Sequence, residues 1–137
     1  MLKKFFDWMK GWAILPMRLA IGIIFFAHGG QKVFGWFGGH GLDATIKFFQ
    51  EGGIPPALGY IAAFTELLGG ICIIIGFMTR QAALGLAIVM LVAIFHVHLK
   101  NGFFLDKGGM EYCVALLGMA LTLLFFGPGK PSLDSRC

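Results

Sequence analysis

The chain has 137 residues, of which 58% are hydrophobic and 13% charged, with a mean hydropathy of +0.82. Soluble domains carry about 25% charged residues, so this composition excludes a mainly water-facing surface. The net charge of +4 does not imply nucleic acid, because Lys and Arg stand singly or in pairs at the ends of apolar runs rather than as a stripe tracking phosphates.

Four spans of about 20 residues would occupy roughly 80 positions, leaving short loops and tails. The expectation is an all-α integral membrane four-helix bundle forming a single transmembrane domain, with a long first loop that carries a short interfacial helix. The opening MLKKFFDWMK is basic and aromatic, as an interfacial lead would be. The run 12–28 could pass for a signal-peptide core, but Phe25, Phe26 and His28 are too bulky for a small-x-small cleavage site, so it reads as a retained first span. Residues 29–56 form a long connection rich in Gly and aromatics. In it Asp43 can cap a short amphipathic helix running through Glu51 and ended by Gly52 and Gly53.

Pro55 and Pro56 start the second span, about 57–77. The turn around Met78 and Thr79 makes the third span, about 81–99, its antiparallel neighbour. The fourth runs about 110–126 and is broken by GPGKP. Lys3, Lys4, Lys10, Arg80, Lys130 and Arg136 fall on one side, against Lys32, Lys47, Lys100 and Lys107 on the other. The basic side is the cytoplasmic one, which predicts both termini inside. Cys72 and Cys113 lie in apolar runs as packing residues, Cys137 is a terminal, mobile thiol, and no CxxC or metal-ligand spacing is present. A thiol–disulfide relay is thereby disfavoured, and no metal site is expected.

A plain apolar anchor would not contain Arg18 or Glu66. Either costs roughly 2.5–3.5 kcal/mol at a helix centre on translocon scales, so something must offset it. Glu66 shares a helical stripe with Ala62 and Gly70, and Arg18 shares one with Gly22, Phe25 and Gly29. Small-residue faces are where membrane helices approach closely, so both charges are expected to point inward and pair, directly or through water. The alternative is that Arg18 snorkels to the cytoplasmic face.

A second group, His28, His96, His98 and Glu111, falls at the outer level beside Gln31, Lys32 and Asn101. Glu111 shares a stripe with Ala115, Gly118 and Thr122, read as an interior face; His96 lies with Val92, Val89 and Gly85, and His98 about 200° away from it. Singly, these residues read as well as interfacial histidines and a helix-start Glu favoured by the dipole. Their convergence above Glu66 points to a polar site that would suit a quinone head with its tail between helices. Two facing histidines could ligate haem iron, but no attachment motif supports haem. Trp36, Phe34 and Phe37 read as an aromatic belt.

The segments RLAIGIIFFAHGGQKVFGWFGGHGL, AAFTELLGGICIIIGFMTR, VHLKNGFF, GGMEYCVALLGMAL and GPGKPSLD, spanning Arg18 to Asp134, resemble the DoxX family. Carried over position by position, the resemblance implies Arg18, His28, Gly29, Gln31, Lys32, Glu66, Arg80, His98, Asn101, Gly102 and Glu111 as motif residues. It favours His98 over His96, where spacing alone favours His96. It also implies a small four-helix protein of the bacterial inner membrane, akin to a membrane partner in thiosulfate:quinone oxidoreduction. Distant eukaryotic relatives are cargo receptors, so the fold alone leaves the activity open.

The first functional expectation is therefore a subunit of a quinone-linked membrane oxidoreductase, with quinone as its cofactor and electrons shared with a partner subunit. In that scheme Glu66 and Glu111 relay protons, His28 and His98 hydrogen-bond the quinone, and Lys32 with Gln31 draws in an anion. The second is a non-enzymatic scaffold or assembly subunit, bound to a protein partner or to copies of itself. A transporter ranks last, for want of an internal repeat.

Overall fold

The computed structural model describes residues 1–134. Arg136, counted above on the cytoplasmic side, and the terminal Cys137 lie outside the described residues. The fold is all-helical, with three helical stretches long and apolar enough to cross a membrane and one shorter apolar helix.

Helix α1 (Leu2–Met9) buries no residue and exposes Phe5, Phe6 and Trp8, as suits an amphipathic helix lying in a headgroup layer. Helix α2 (Leu15–Phe34) opens with a proline in its first turn and ends on Gly35, whose φ of 75° closes the helix by bonding back to the Gly30 carbonyl. It therefore runs six residues past the expected end at His28, and Gln31 and Lys32 are helical rather than loop residues.

The reason is a packing one. Gly29 and Gly30 look like a terminator, but a Cβ on Gly29 would land in the backbone of Leu67, and one on Gly70 would sit 2.5 Å from the Phe26 nitrogen. These glycines let α2 approach α4 closely.

Helix α3 (Leu42–Glu51) is the expected short helix, ended by Gly52. Its N-cap is Gly41 and no side chain caps it; Asp43 sits in the first turn. Helix α4 (Pro56–Ile75) follows Pro55 and stops at left-handed Gly76. Helix α5 (Thr79–Ala93) returns antiparallel to it, then widens into a π-helical turn over Ile94–His98 and tightens into a 3₁₀ turn at Leu99–Asn101. The third span is thus α-helical only as far as Ala93. Helix α6 (Glu111–Phe126) has 16 residues, about 24 Å of rise, short of a hydrocarbon core of about 30 Å.

The core lies among α2, α4, α5 and α6, filled by Ile21, Phe25, Ile73, Leu86, Met90, Leu116 and Leu123, with Cys113 as one of its small members. Both chain ends meet at one end of the bundle, where the Lys130 N–H bonds the Gly11 carbonyl and those of Leu133 and Asp134 bond the carbonyls of Ile75 and Gly76. Asp134 accepts the Met78 N–H at 2.7 Å and the Thr79 N–H at 3.0 Å. The tail thus supplies the carboxylate that the start of α5 lacks. Burial pushes the Asp134 carboxyl up, but its hydrogen bonds from Thr79 and Met78 and the charge of Arg18 outweigh this, holding it below the ordinary carboxylate value.

Candidate functional site

A cavity of about 780 Å³ opens between α3, α4 and the far end of α5, at the bundle end opposite the chain termini. Its flank is apolar. Leu58 and Ile61 on α4 and Ile88 and Val92 on α5 line it while remaining exposed, so in a bilayer the opening faces acyl chains. Its polar lining comes from Gln31, Lys32, His40, Thr45, Glu66, His96 and His98.

Glu66 is the inner floor, 2% exposed near the middle of α4. Lys32, in the last turn of α2, places Nζ 2.6 Å from both Oε1 and Oε2. The extension of α2 beyond His28 is what brings this ammonium over the carboxylate. A buried carboxylate is tolerable only with such a partner, and two short charge-assisted bonds supply it.

Arg18 does not pair with Glu66, contrary to the sequence expectation. It is also buried at 2% exposure, but it lies near the opposite end of the bundle. There it donates to the Pro128 carbonyl at 2.8 Å and the Ile74 carbonyl at 3.4 Å. Its inward stripe with Gly22, Phe25 and Gly29 is buried throughout; the partners are carbonyls of the tail and of the end of α4. The head turns toward the end of the bundle where the tail lies, but it is covered by that tail and does not snorkel to an exposed position.

Gln31 lines the cavity and donates to the Phe37 carbonyl at 3.2 Å, fixing the turn that follows α2. Lys32 is engaged by Glu66, so it is no free cation for an anion. Thr45 Oγ1 donates to the Gly41 carbonyl at 2.7 Å.

His96 and His98 both line the cavity. The stripe of Val89, Val92 and His96 visible in the sequence lies along its wall, which restores His96 to the set from which the family pattern removed it. His98 Nδ1 lies 2.8 Å from the Gly108 carbonyl. A carbonyl only accepts, so Nδ1 carries a proton, and in the neutral ring Nε2 is the acceptor.

Three expected members are elsewhere. His28 is exposed, does not line the cavity, and stands beside Tyr112 with ring centroids 6.3 Å apart. It is therefore not among the groups that line this cavity with His98, although it stands one helical turn before Lys32 on α2. Asn101 donates to the Gly108 carbonyl at 3.2 Å and closes the α5–α6 loop. Glu111 accepts the Leu105 N–H at 3.0 Å and is exposed, and Ala115, Gly118 and Thr122 below it are exposed as well. That stripe is an outer face of α6, because the helix turns Cys113, Leu116, Ala120 and Leu123 inward instead. Both faces of α6 carry small residues, so smallness alone could not choose between them.

His40, Thr45, Phe48 and Phe49 are cavity residues that sequence reasoning missed. The amphipathic pattern of α3 was a signal for Phe48 and Phe49. Nothing in the sequence marked His40, which enters only because the glycine-rich turn folds back over α2. Among the described residues, no cluster of three His, Cys, Asp or Glu side chains could hold a metal ion.

Comparison with known proteins finds relatives that are membrane proteins by name. The chain is 34% identical over 120 residues to a Bacillus subtilis protein named "Putative oxidoreductase CatD", covering 88% of this chain and 83% of that one. It is 32% identical over 136 residues to an uncharacterized membrane protein of Mycobacterium tuberculosis, covering 90% and 80%. It is 27% identical over 121 residues to the Escherichia coli "Inner membrane protein YqjF", covering 88% of each. No solved structure matches. The DoxX family model matches residues 13–99, and with the helical bundle and the relatives this establishes that the chain is a membrane protein belonging to the DoxX family.

Proposed function

We propose that this protein is the quinone-binding subunit of a membrane oxidoreductase. Its site would lie in the bundle half away from the chain termini, and the Lys and Arg distribution supports reading that half as the periplasmic side of a bacterial inner membrane. The observation that carries the reading is a single cavity joining a flank open to hydrocarbon with a buried Lys32–Glu66 pair. Binding sites for lipid-soluble cofactors are of this kind, mostly apolar with a few convergent polar groups, in volumes of about 300–1,000 Å³.

The donor set fits a quinone: Lys32, Gln31 and the His96 ring offer hydrogen bonds to carbonyl oxygens, and His98 Nε2 offers an acceptor to a hydroxyl. Bound there, a quinone would supply the two-electron chemistry, with electrons shared with a partner subunit. The chain's own part is to hold the head at the Lys32 end, keep the tail between α4 and α5, and hold a proton between Lys32 Nζ and the Glu66 carboxylate. Glu111, exposed and spent on the Leu105 N–H, has no place in this scheme.

The test is extraction of quinone from protein purified in mild detergent, followed by titration with a short-chain quinone. Ala62 lines the cavity between Leu58 and Glu66, so Ala62→Trp fills it. Binding should be lost in a variant that keeps its helical circular dichroism. Equal binding by wild type and variant would show that the cavity is not the site.

A scaffold reading draws support from another face. Helix α6 turns Ala115, Gly118 and Thr122 outward, a small-residue surface of the sort membrane helices use to approach one another. It expects Gly118→Leu to lower the yield of a co-purified complex while leaving quinone binding unchanged.

A further inference from the structure

Lys32 and Glu66 provide the cavity's ammonium and its carboxylate; the other titratable side chains lining it are His40, His96 and His98. The two charges are in contact, both carboxylate oxygens at 2.6 Å from one nitrogen. Whichever of the two partners carries the proton, their sum is zero. An entering carboxylate would therefore find no free cation and would meet the Glu66 oxygens instead. An uncharged head bearing a carbonyl or hydroxyl meets no such obstacle, since Gln31 and the imidazoles can bond it without moving the pair.

The flank sharpens the consequence. Leu58, Ile61, Ile88 and Val92 open the cavity to acyl chains, so any single-tailed amphiphile in the bilayer can reach it. Free fatty acids have the same access as a lipid-soluble substrate, and tail packing alone distinguishes such molecules poorly. Discrimination has to come from the head, and specificity is often achieved by a group that repels the wrong ligand.

We propose that Glu66, by occupying Lys32, makes this cavity selective for uncharged amphiphiles and excludes long-chain carboxylates. The proposal deepens the reading of the cavity as a site for a lipid-soluble molecule and rests on it. Glu66 acts here as a specificity-determining residue, separately from any proton it holds.

The experiment uses the full chain in phosphatidylcholine nanodiscs. The probes are a spin-labelled stearic acid and its methyl ester, with the immobilised fraction read by electron paramagnetic resonance. A pH of about 9 keeps the fatty acid ionised despite the bilayer's tendency to raise carboxyl pKa values. Wild type should bind the ester at least about tenfold more tightly than the acid, the scale of one charge-assisted hydrogen bond. Glu66→Gln frees the Lys32 ammonium and should raise acid binding about tenfold or more relative to ester binding by the same variant. The double variant Lys32→Gln/Glu66→Gln should lose that gain, returning the acid-to-ester ratio to the wild-type value or below.

Equal binding of acid and ester by the wild type overturns the proposal, and so does a Glu66→Gln protein that binds the ester but gains nothing for the acid. Should Glu66→Gln not fold, the wild-type comparison still decides. Wild type that binds ester and short-chain quinone but takes the acid equally well sinks the charge selection alone. Wild type that binds none of the three removes the cavity reading and the selection together.

Discussion

The ammonium of Lys32, in the last turn of α2, sits 2.6 Å from each carboxylate oxygen of Glu66, near the middle of α4. The two side chains are unequally placed, with Lys32 28% exposed and Glu66 3%. The pair should therefore break asymmetrically. Lys32→Met strands a carboxylate away from water and should cost about 3–5 kcal/mol. In Glu66→Gln the freed Lys32 head is already partly exposed and keeps its solvation where it stands, so the cost should be nearer 1 kcal/mol. Thermal unfolding of both variants in one detergent checks the order, and equal losses would contradict it.

The α2–α4 contact makes a second prediction. A methyl group on Gly29 meets Leu67 backbone, whereas one on Gly118 meets nothing within 4 Å. Gly29→Ala should destabilise the bundle by about 2 kcal/mol or more, because backbone rather than a flexible side chain must yield. Gly118→Ala should be neutral or stabilising by up to about 1 kcal/mol from helix propensity. Unfolding midpoints of the two proteins test the contrast.

The tail gives a pH dependence. Asp134 is held below its ordinary value in the folded chain, so the unfolded state binds its proton more readily. Its stabilisation is then fully present above the unfolded carboxylate value of about 3.9 and is lost as pH falls through the lower folded value. Asp134→Asn should cost about 1 kcal/mol near neutrality, the scale of a helix cap. The difference between wild type and variant should shrink below about pH 4. Unfolding curves across that range measure it; a difference that persists in acid would assign Asp134 no capping charge.

The histidines separate by position. His96 lines the cavity and His28 does not. His96→Ala should weaken short-chain quinone binding by about tenfold, near 1.4 kcal/mol, while His28→Ala leaves it within twofold or so. Titration of both variants checks this, and the reverse order would move the site to the α2–α6 side, beside Tyr112.

Much of the fold was legible because hydrophobic runs of spanning length and the proline and glycine punctuation are local properties. The membrane character, the helix order, the α4–α5 turn and the interfacial α3 followed from them. The inward stripe of Arg18, Gly22, Phe25 and Gly29 was also legible, since helical period fixes which residues share a face. The candidate site was legible only in part. Gln31, Lys32, Glu66, His96 and His98 meet at one cavity, but His28, Asn101 and Glu111 lie outside it.

What the sequence determined by itself was the solvent, the number of apolar helices and the presence of charges that need partners inside them. Tertiary structure alone decided who the partners are. Lys32 reaches Glu66 because Gly29 continues a helix it could have ended, and Arg18 turns to carbonyls because a tail more than a hundred positions away folds over it. Periodicity gives the direction of a side chain around its own axis. The depth and rotation of the neighbouring helix come from backbone-to-backbone packing, which no single helix encodes.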